Sequence, residues 1–86
     1  MIETQAIIKS PAGLHARPAK ELVNLAKKYT SSVTLEYNGI TCDARSMLQI
    51  MKMAAGQGGQ IKISIQGDDE KAASEEITAF LDSFTD

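Results

Sequence analysis

Hydrophobic positions along this chain change their period several times, and each change marks a new element. In IETQAII the residues Ile2, Thr4, Ala6 and Ile8 share one side of a two-residue alternation, which predicts a first strand. From Ala16 the spacing becomes helical. Ala19, Leu22, Val23 and Ala26 recur on one stripe, and Lys27, Lys28 and Tyr29 suit a helix C-terminus. Val33, Leu35 and Tyr37 then alternate, Asn38-Gly39 follows, and Ile40 and Cys42 alternate again, the pattern of a two-residue hairpin. SMLQIMKMAAG predicts a short helix with Ser46 and Gln49 spaced as a capping box and Gly56 placed to end it. After Gly58-Gly59 a fourth strand is marked by Ile61, Ile63 and Ile65. Asp69 is an N-cap candidate for a last helix with Ala73, Ile77, Phe80, Leu81 and Phe84 on one face.

The order strand, helix, strand, strand, helix, strand, helix predicts an α+β fold. It is an open-faced β-sandwich, a four-stranded, mostly antiparallel sheet with three helices on one face. No repeat or linker interrupts the 86 residues, so one domain spanning residues 1–86 is expected. The composition, 43% apolar and 23% charged, is that of an ordered globular chain. No apolar run reaches membrane-spanning length and MIETQAII has no signal-peptide pattern, so membrane insertion is not expected and a cytoplasmic location is. Cys42 has no second cysteine to pair with. One cysteine and one histidine supply too few soft ligands for structural zinc.

The net charge of −2 conceals a division: seven of the eleven acidic residues fall between Asp68 and Asp86, and every basic residue except Lys71 precedes them. Within the basic part, Arg17, Lys20, Asn24, Lys27 and Lys28 form a stripe on the first helix, away from Leu22, Val23 and Ala26. Such stripes are commonly solvated faces. One that begins beside the only histidine can also steer acidic partners.

That histidine carries the candidate chemistry. Pro18 tolerates only the first turn of a helix, so the helix begins one to three residues earlier and His15 is its N-cap or next to it. A helix mouth presents amides without intrahelical acceptors and a partial positive charge, a ready seat for phosphate. Arg17 adds a planar fork that suits phosphate oxygens. An imidazole there can offer a ring nitrogen to phosphorus. The helix-terminus contribution, about 0.3 to 2 kcal/mol, steadies a phosphoryl group without trapping it. The plain alternative is a surface histidine acting as a mediocre cap.

Ser46 reads first as an N-cap contributing about 1 kcal/mol. A phosphate there would also be tolerated by the helix start and would change the surface potential. Met47, Leu48, Ile50, Met51 and Met53 are too many large apolar residues for one short helix to bury all round, so some are expected on the surface, where methionine suits a patch meeting several partners.

Taken together, Gly13-Leu14-His15-Ala16-Arg17-Pro18-Ala19 and Arg45-Ser46-Met47 resemble the HPr family, the histidine-containing phosphocarriers of the bacterial phosphoenolpyruvate-dependent phosphotransferase system, along essentially the whole chain. The resemblance implies a phosphocarrier rather than a stand-alone enzyme, with phosphate taken on Nδ1 of His15 from enzyme I and passed to a histidine of an enzyme IIA domain. It implies that Arg17 assists transfer and that Ser46 matches a regulatory site of a serine kinase. Partner contacts are expected from Lys20, Asn24, Lys27, Arg45, Met47, Leu48, Met51 and Lys52, with no cofactor and a monomeric state. Arg45 stands where lysine is more usual. Met53 to Gly59 looks more like the nitrogen-branch paralogue, whereas HARPA looks like the sugar branch, and both branches stay open. Two other classes are a nucleic-acid or ligand-binding module and a hydrolase using His15 as base. Aromatic residues at 5%, with no Trp, weaken the first, so no nucleic-acid partner is expected, and no evident nucleophile supports the second.

Overall fold

The computed structural model describes residues 1–85. The elements follow as β1 (Ile2–Ile7), α1 (Ala16–Lys28), β2 (Ser32–Tyr37), β3 (Ile40–Asp43), α2 (Met47–Met53), β4 (Gln60–Gln66) and α3 (Glu70–Ser83). The sheet order is β1-β4-β2-β3 and all three pairings are antiparallel. Alternation decides which face is covered. Val33, Leu35, Cys42, Ile61, Ile63 and Ile65 are buried against Ala19, Leu22, Val23 and Ala26 of α1, Ile50 and Met53 of α2, and Ala73, Ile77 and Leu81 of α3. The intervening Glu3, Gln5, Thr34, Thr41 and Lys62 remain in water on the other face. The three central isoleucines of β4 are each 0% exposed, and burying such a side chain contributes about 1.5 to 3 kcal/mol.

The hairpin forms as its sequence predicts: Asn38 and Gly39 both take positive φ, 55° and 80°, and Tyr37 faces Ile40 across a two-residue turn. Ile40 departs from the alternation. At the hairpin tip it is 47% exposed.

Other local devices differ from the sequence expectation. The capping box is half made. Ser46 Oγ accepts from the Gln49 amide at 3.3 Å, but the Gln49 side chain accepts from the Asp43 amide at 2.9 Å because Asp43 O already takes the Ser46 amide. The chain also leaves α2 before Gly56. Ala54 is the left-handed C-cap, φ 53° and ψ 41°, since Met53 is needed in the core beside Cys42 and the next carbonyl, that of Ala55, is needed by Leu14. A left-handed residue with a Cβ costs about 1 to 2 kcal/mol. Glycine there would relieve that strain while losing about 0.4 to 1 kcal/mol through its freer unfolded chain. Ala54→Gly is therefore expected to raise stability by about 0.5 to 1 kcal/mol, read as a higher urea midpoint at unchanged slope; a lower midpoint would refute the strain argument.

Asp69 occupies the N-cap position of α3, but its side chain makes no cap bond. Its carboxylate turns instead to the α1–β2 connection, accepting from the amides of Thr30 and Ser31 at 2.9 Å each and from the Ser31 hydroxyl. From the other side, Arg45 Nη2 donates to the carbonyls of Tyr29 and Ser31 at 2.7 and 2.8 Å. An anion and a cation thus hold one turn by its donors and its acceptors. The Ser31 hydroxyl, then the Thr30 amide, hold the Asp69 carboxyl at about 2, below its ordinary 3.8. Because the folded state favours the carboxylate, the stability it contributes is complete above about pH 4 and is lost as pH falls through 3.8 to about 2. The stability difference between wild type and Asp69→Ala should accordingly shrink from pH 5 to pH 2, and urea midpoints at several pH values check it. A gap independent of pH would contradict the assignment.

Candidate functional site

His15 is the N-cap of α1, extended at φ −88° and ψ −171°, with its carbonyl accepting from the Ala19 amide at 3.0 Å. Its side chain makes no capping bond to the first turn, and the residue is partly exposed. Pro18 is the third helical residue and is buried. It removes one first-turn amide but fixes the backbone for the helix, leaving those of Ala16 and Arg17 as the amides ahead of it. Arg17 lies exposed one residue inside the mouth.

The loop that presents His15 is fastened at several points. Ser10 O accepts from the Gly13 amide at 2.9 Å, closing a turn with Pro11 at its second position. The Leu14 amide donates to Ala55 O at 2.9 Å, the Gln57 side chain donates to Lys9 O at 3.3 Å, and the Gly58 amide donates to Ile8 O at 2.7 Å. Gly13 is required twice over: its φ is 72°, and a Cβ would come within 2.4 Å of Ala55 O. The histidine loop and the end of α2 are therefore one packed unit. Gly13 is visible in the sequence, but Ala55 and Gln57, which hold it, bear no motif that would single them out.

The other candidates are distributed as follows. Lys20, Asn24 and Lys27 are exposed along α1 with Arg17. Lys28, the last of the stripe, turns to α3, where its ammonium lies 2.8 Å from Glu76 Oε1 and the Tyr29 hydroxyl bonds the same carboxylate. Its bond to Glu76 raises the Lys28 pKa, and the bonds from Lys28 and Tyr29 lower that of Glu76. On α2, Leu48 is 66% and Met51 40% exposed, Met47 is half-buried, Lys52 is exposed, and Ile50 and Met53 are buried. The helix thus splits into a core side and an outward apolar strip ending next to the His15 loop. Arg45 is partly buried and its guanidinium is held by the Tyr29 and Ser31 carbonyls, a structural duty its sequence position did not reveal. Burial raises the Cys42 pKa, and its Sγ lies 3.7 Å from Met53 Sδ inside the core.

Fold and site together define an open-faced α+β sandwich with a histidine at the mouth of a basic helix. Residues 2–83 match the family model described as the PTS HPr component phosphorylation site. The phosphocarrier protein HPr of Buchnera aphidicola is 40% identical over 81 residues, covering 94% of this chain and 95% of its own. Among solved structures, HPr from Thermoanaerobacter tengcongensis superposes with a TM-score of 0.89 at 36% identity, covering 94% of this chain and 91% of its own. An HPr dimer from the same organism gives 0.72 at 37% identity, covering 92% and 91%. The chain belongs to the HPr family of phosphocarrier proteins of the phosphotransferase system.

Proposed function

We propose that this chain carries a phosphoryl group on His15 between enzyme I and the histidine of an enzyme IIA domain in sugar uptake. The observation that carries the reading is a partly exposed histidine at the N-cap position of α1, on a loop fastened to the end of α2. Nδ1 of His15 attacks the phosphorus of the enzyme I phosphohistidine. A new N–P bond forms as the donor's N–P bond breaks and its electron pair returns to the donor imidazole. The phosphoryl oxygens accept from first-turn amides and the Arg17 guanidinium, and the same exchange in the next complex delivers the group to enzyme IIA. Lys20, Asn24, Lys27, Met47, Leu48, Met51 and Lys52 supply contacts around that exchange, and Arg45 adds to the partner surface from its place beside the turn that follows α1. The chain acts as a monomer, since a shuttle must release each partner.

Incubation with phosphoenolpyruvate and enzyme I should add one acid-labile, alkali-stable phosphate. Absence of label, or an acid-stable one, would overturn the reading.

Ser46 serves in addition as a regulatory site. Its hydroxyl already sits at the start of α2, so added charge changes the face that partners meet rather than the fold. Ser46→Asp should slow phosphorylation by enzyme I at least about tenfold, ~1.4 kcal/mol in the transition state, with an unchanged unfolding midpoint. Equal rates would remove the regulatory role.

A further inference from the structure

The outer edge of the sheet at β1 is built to receive another strand. The Ile8 amide donates to Gly59 O at 2.9 Å and Ile8 O accepts from the Gly58 amide at 2.7 Å, so the main-chain groups of Ile8, and by alternation those of Ala6, Thr4 and Ile2, point toward β4. Those of Ile7, Gln5 and Glu3 point the other way. Ile7 confirms it: its amide donates outward to Asp82 Oδ1 at 3.3 Å. Asp82 closes only that end of the edge. Among the described residues no protein group pairs with the outward main-chain groups of Glu3 and Gln5.

Beside this open stretch runs a groove of about 450 Å³ between β1 and α3, lined by Ile2, Thr4, Ser74, Glu75, Thr78 and Ala79. Its surface is mainly carbon, and the Thr78 hydroxyl in its wall has no hydrogen-bond partner. The groove side is acidic, while on the open face Lys62 lies beside Glu3 and Gln5. Glu70 pairs with the N-terminal amine and Glu76 with Lys28, while no ion pair among the described residues holds Glu3, Glu75 or Asp82. A line of unpaired main-chain groups, an apolar groove and an acidic rim together specify their complement: an extended chain with alternating apolar and basic residues.

We propose that the β1 edge and the adjoining groove bind an extended, basic segment of a partner protein as a fifth strand. Its main chain pairs with Glu3 and Gln5, an apolar side chain enters the groove against Ile2 and Ala79 beside the acidic rim of Glu75 and Asp82, and its alternate cations fall on the open face next to Glu3. This binding does not use His15.

The test titrates the full-length protein with a six-residue peptide alternating lysine and valine, followed by amide NMR shifts, against a peptide alternating glutamate and valine. Shifts confined to residues 2–7 and 74–82, with slowed hydrogen exchange at the Gln5 amide, are expected for the basic peptide alone. Gln5→Pro removes an outward donor while sparing the bonds to β4, and should weaken binding at least about tenfold; Glu75→Lys should weaken it several-fold. Both variants should still accept phosphate at His15, which shows them folded. No binding, equal binding of the acidic peptide, or an unchanged affinity in Gln5→Pro would overturn the proposal. So would edge shifts that track protein concentration without peptide, which would make a second copy the occupant.

Discussion

His15→Ala is expected to lose acid-labile labelling by enzyme I completely while keeping the fold. His15 is the only histidine in the chain, so no other imidazole can take over the acceptor role. The cost in stability is small for a stated reason. The ring makes no capping bond to α1, and histidine is not among the preferred caps, so alanine forfeits less than the ~1 kcal/mol typical of removing a good one. For a domain of this size that is a shift of about 4 to 8 °C at most in the thermal midpoint. The two readouts are made on one preparation, label by acid hydrolysis and stability by thermal unfolding. Labelling at the wild-type level would end the carrier reading; a chain already unfolded at room temperature would show that the ring holds the fold and that its loss of label means nothing about chemistry.

The second large effect is expected at Gly13. Gly13→Ala combines a positive φ of 72° with a Cβ placed 2.4 Å from Ala55 O and 2.9 Å from Gly56 Cα, both backbone atoms that cannot swing aside. Either the loop lifts from the end of α2, breaking the bond from the Leu14 amide to Ala55 O, or α2 yields. Gly39→Ala is the proper control. Gly39 also has a positive φ, 80°, but nothing lies within 4 Å of its missing Cβ. The control should cost about 1 kcal/mol from backbone strain alone, and Gly13→Ala about 2 to 3. Only the Gly13 variant should also slow phosphotransfer, because only there does the histidine move. Equal losses at the two glycines, measured by urea unfolding, would show that the contact with Ala55 is unimportant.

The parts of this molecule that could be read from its residues are those settled by near neighbours. Asn38-Gly39 needs only its own backbone preferences to make a tight hairpin, and the alternation of Ile61, Ile63 and Ile65 needs only one covered face. Pro18 placed the helix start and His15 with it. What could not be read depends on groups distant in the chain competing for the same partner. Asp69 has the chemistry of a cap, yet Ser31 and the Thr30 amide outbid the helix. Gln49 has the spacing to close its box, yet the Ser46 amide was already taken by Asp43. Gly56 offered the easiest left-handed stop, but burial of Met53 and the bond between Ala55 and Leu14 placed that conformation on Ala54. In the sequence Arg45 reads as a neighbour of Ser46, whereas its guanidinium answers to a turn 14 and 16 residues earlier.

The strand order carries a consequence for synthesis. β4 lies between β1 and β2, but it comes last of the four strands in the chain, and Ile2 waits for Ile65. As the polypeptide leaves the ribosome, α1 and the β2–β3 hairpin can form from local contacts, while β1 has no neighbour until residues 60–66 emerge. Nascent chains therefore hold an unpaired, half-apolar strand for most of translation, and the sheet closes in one late step whose pace is set by joining distant segments.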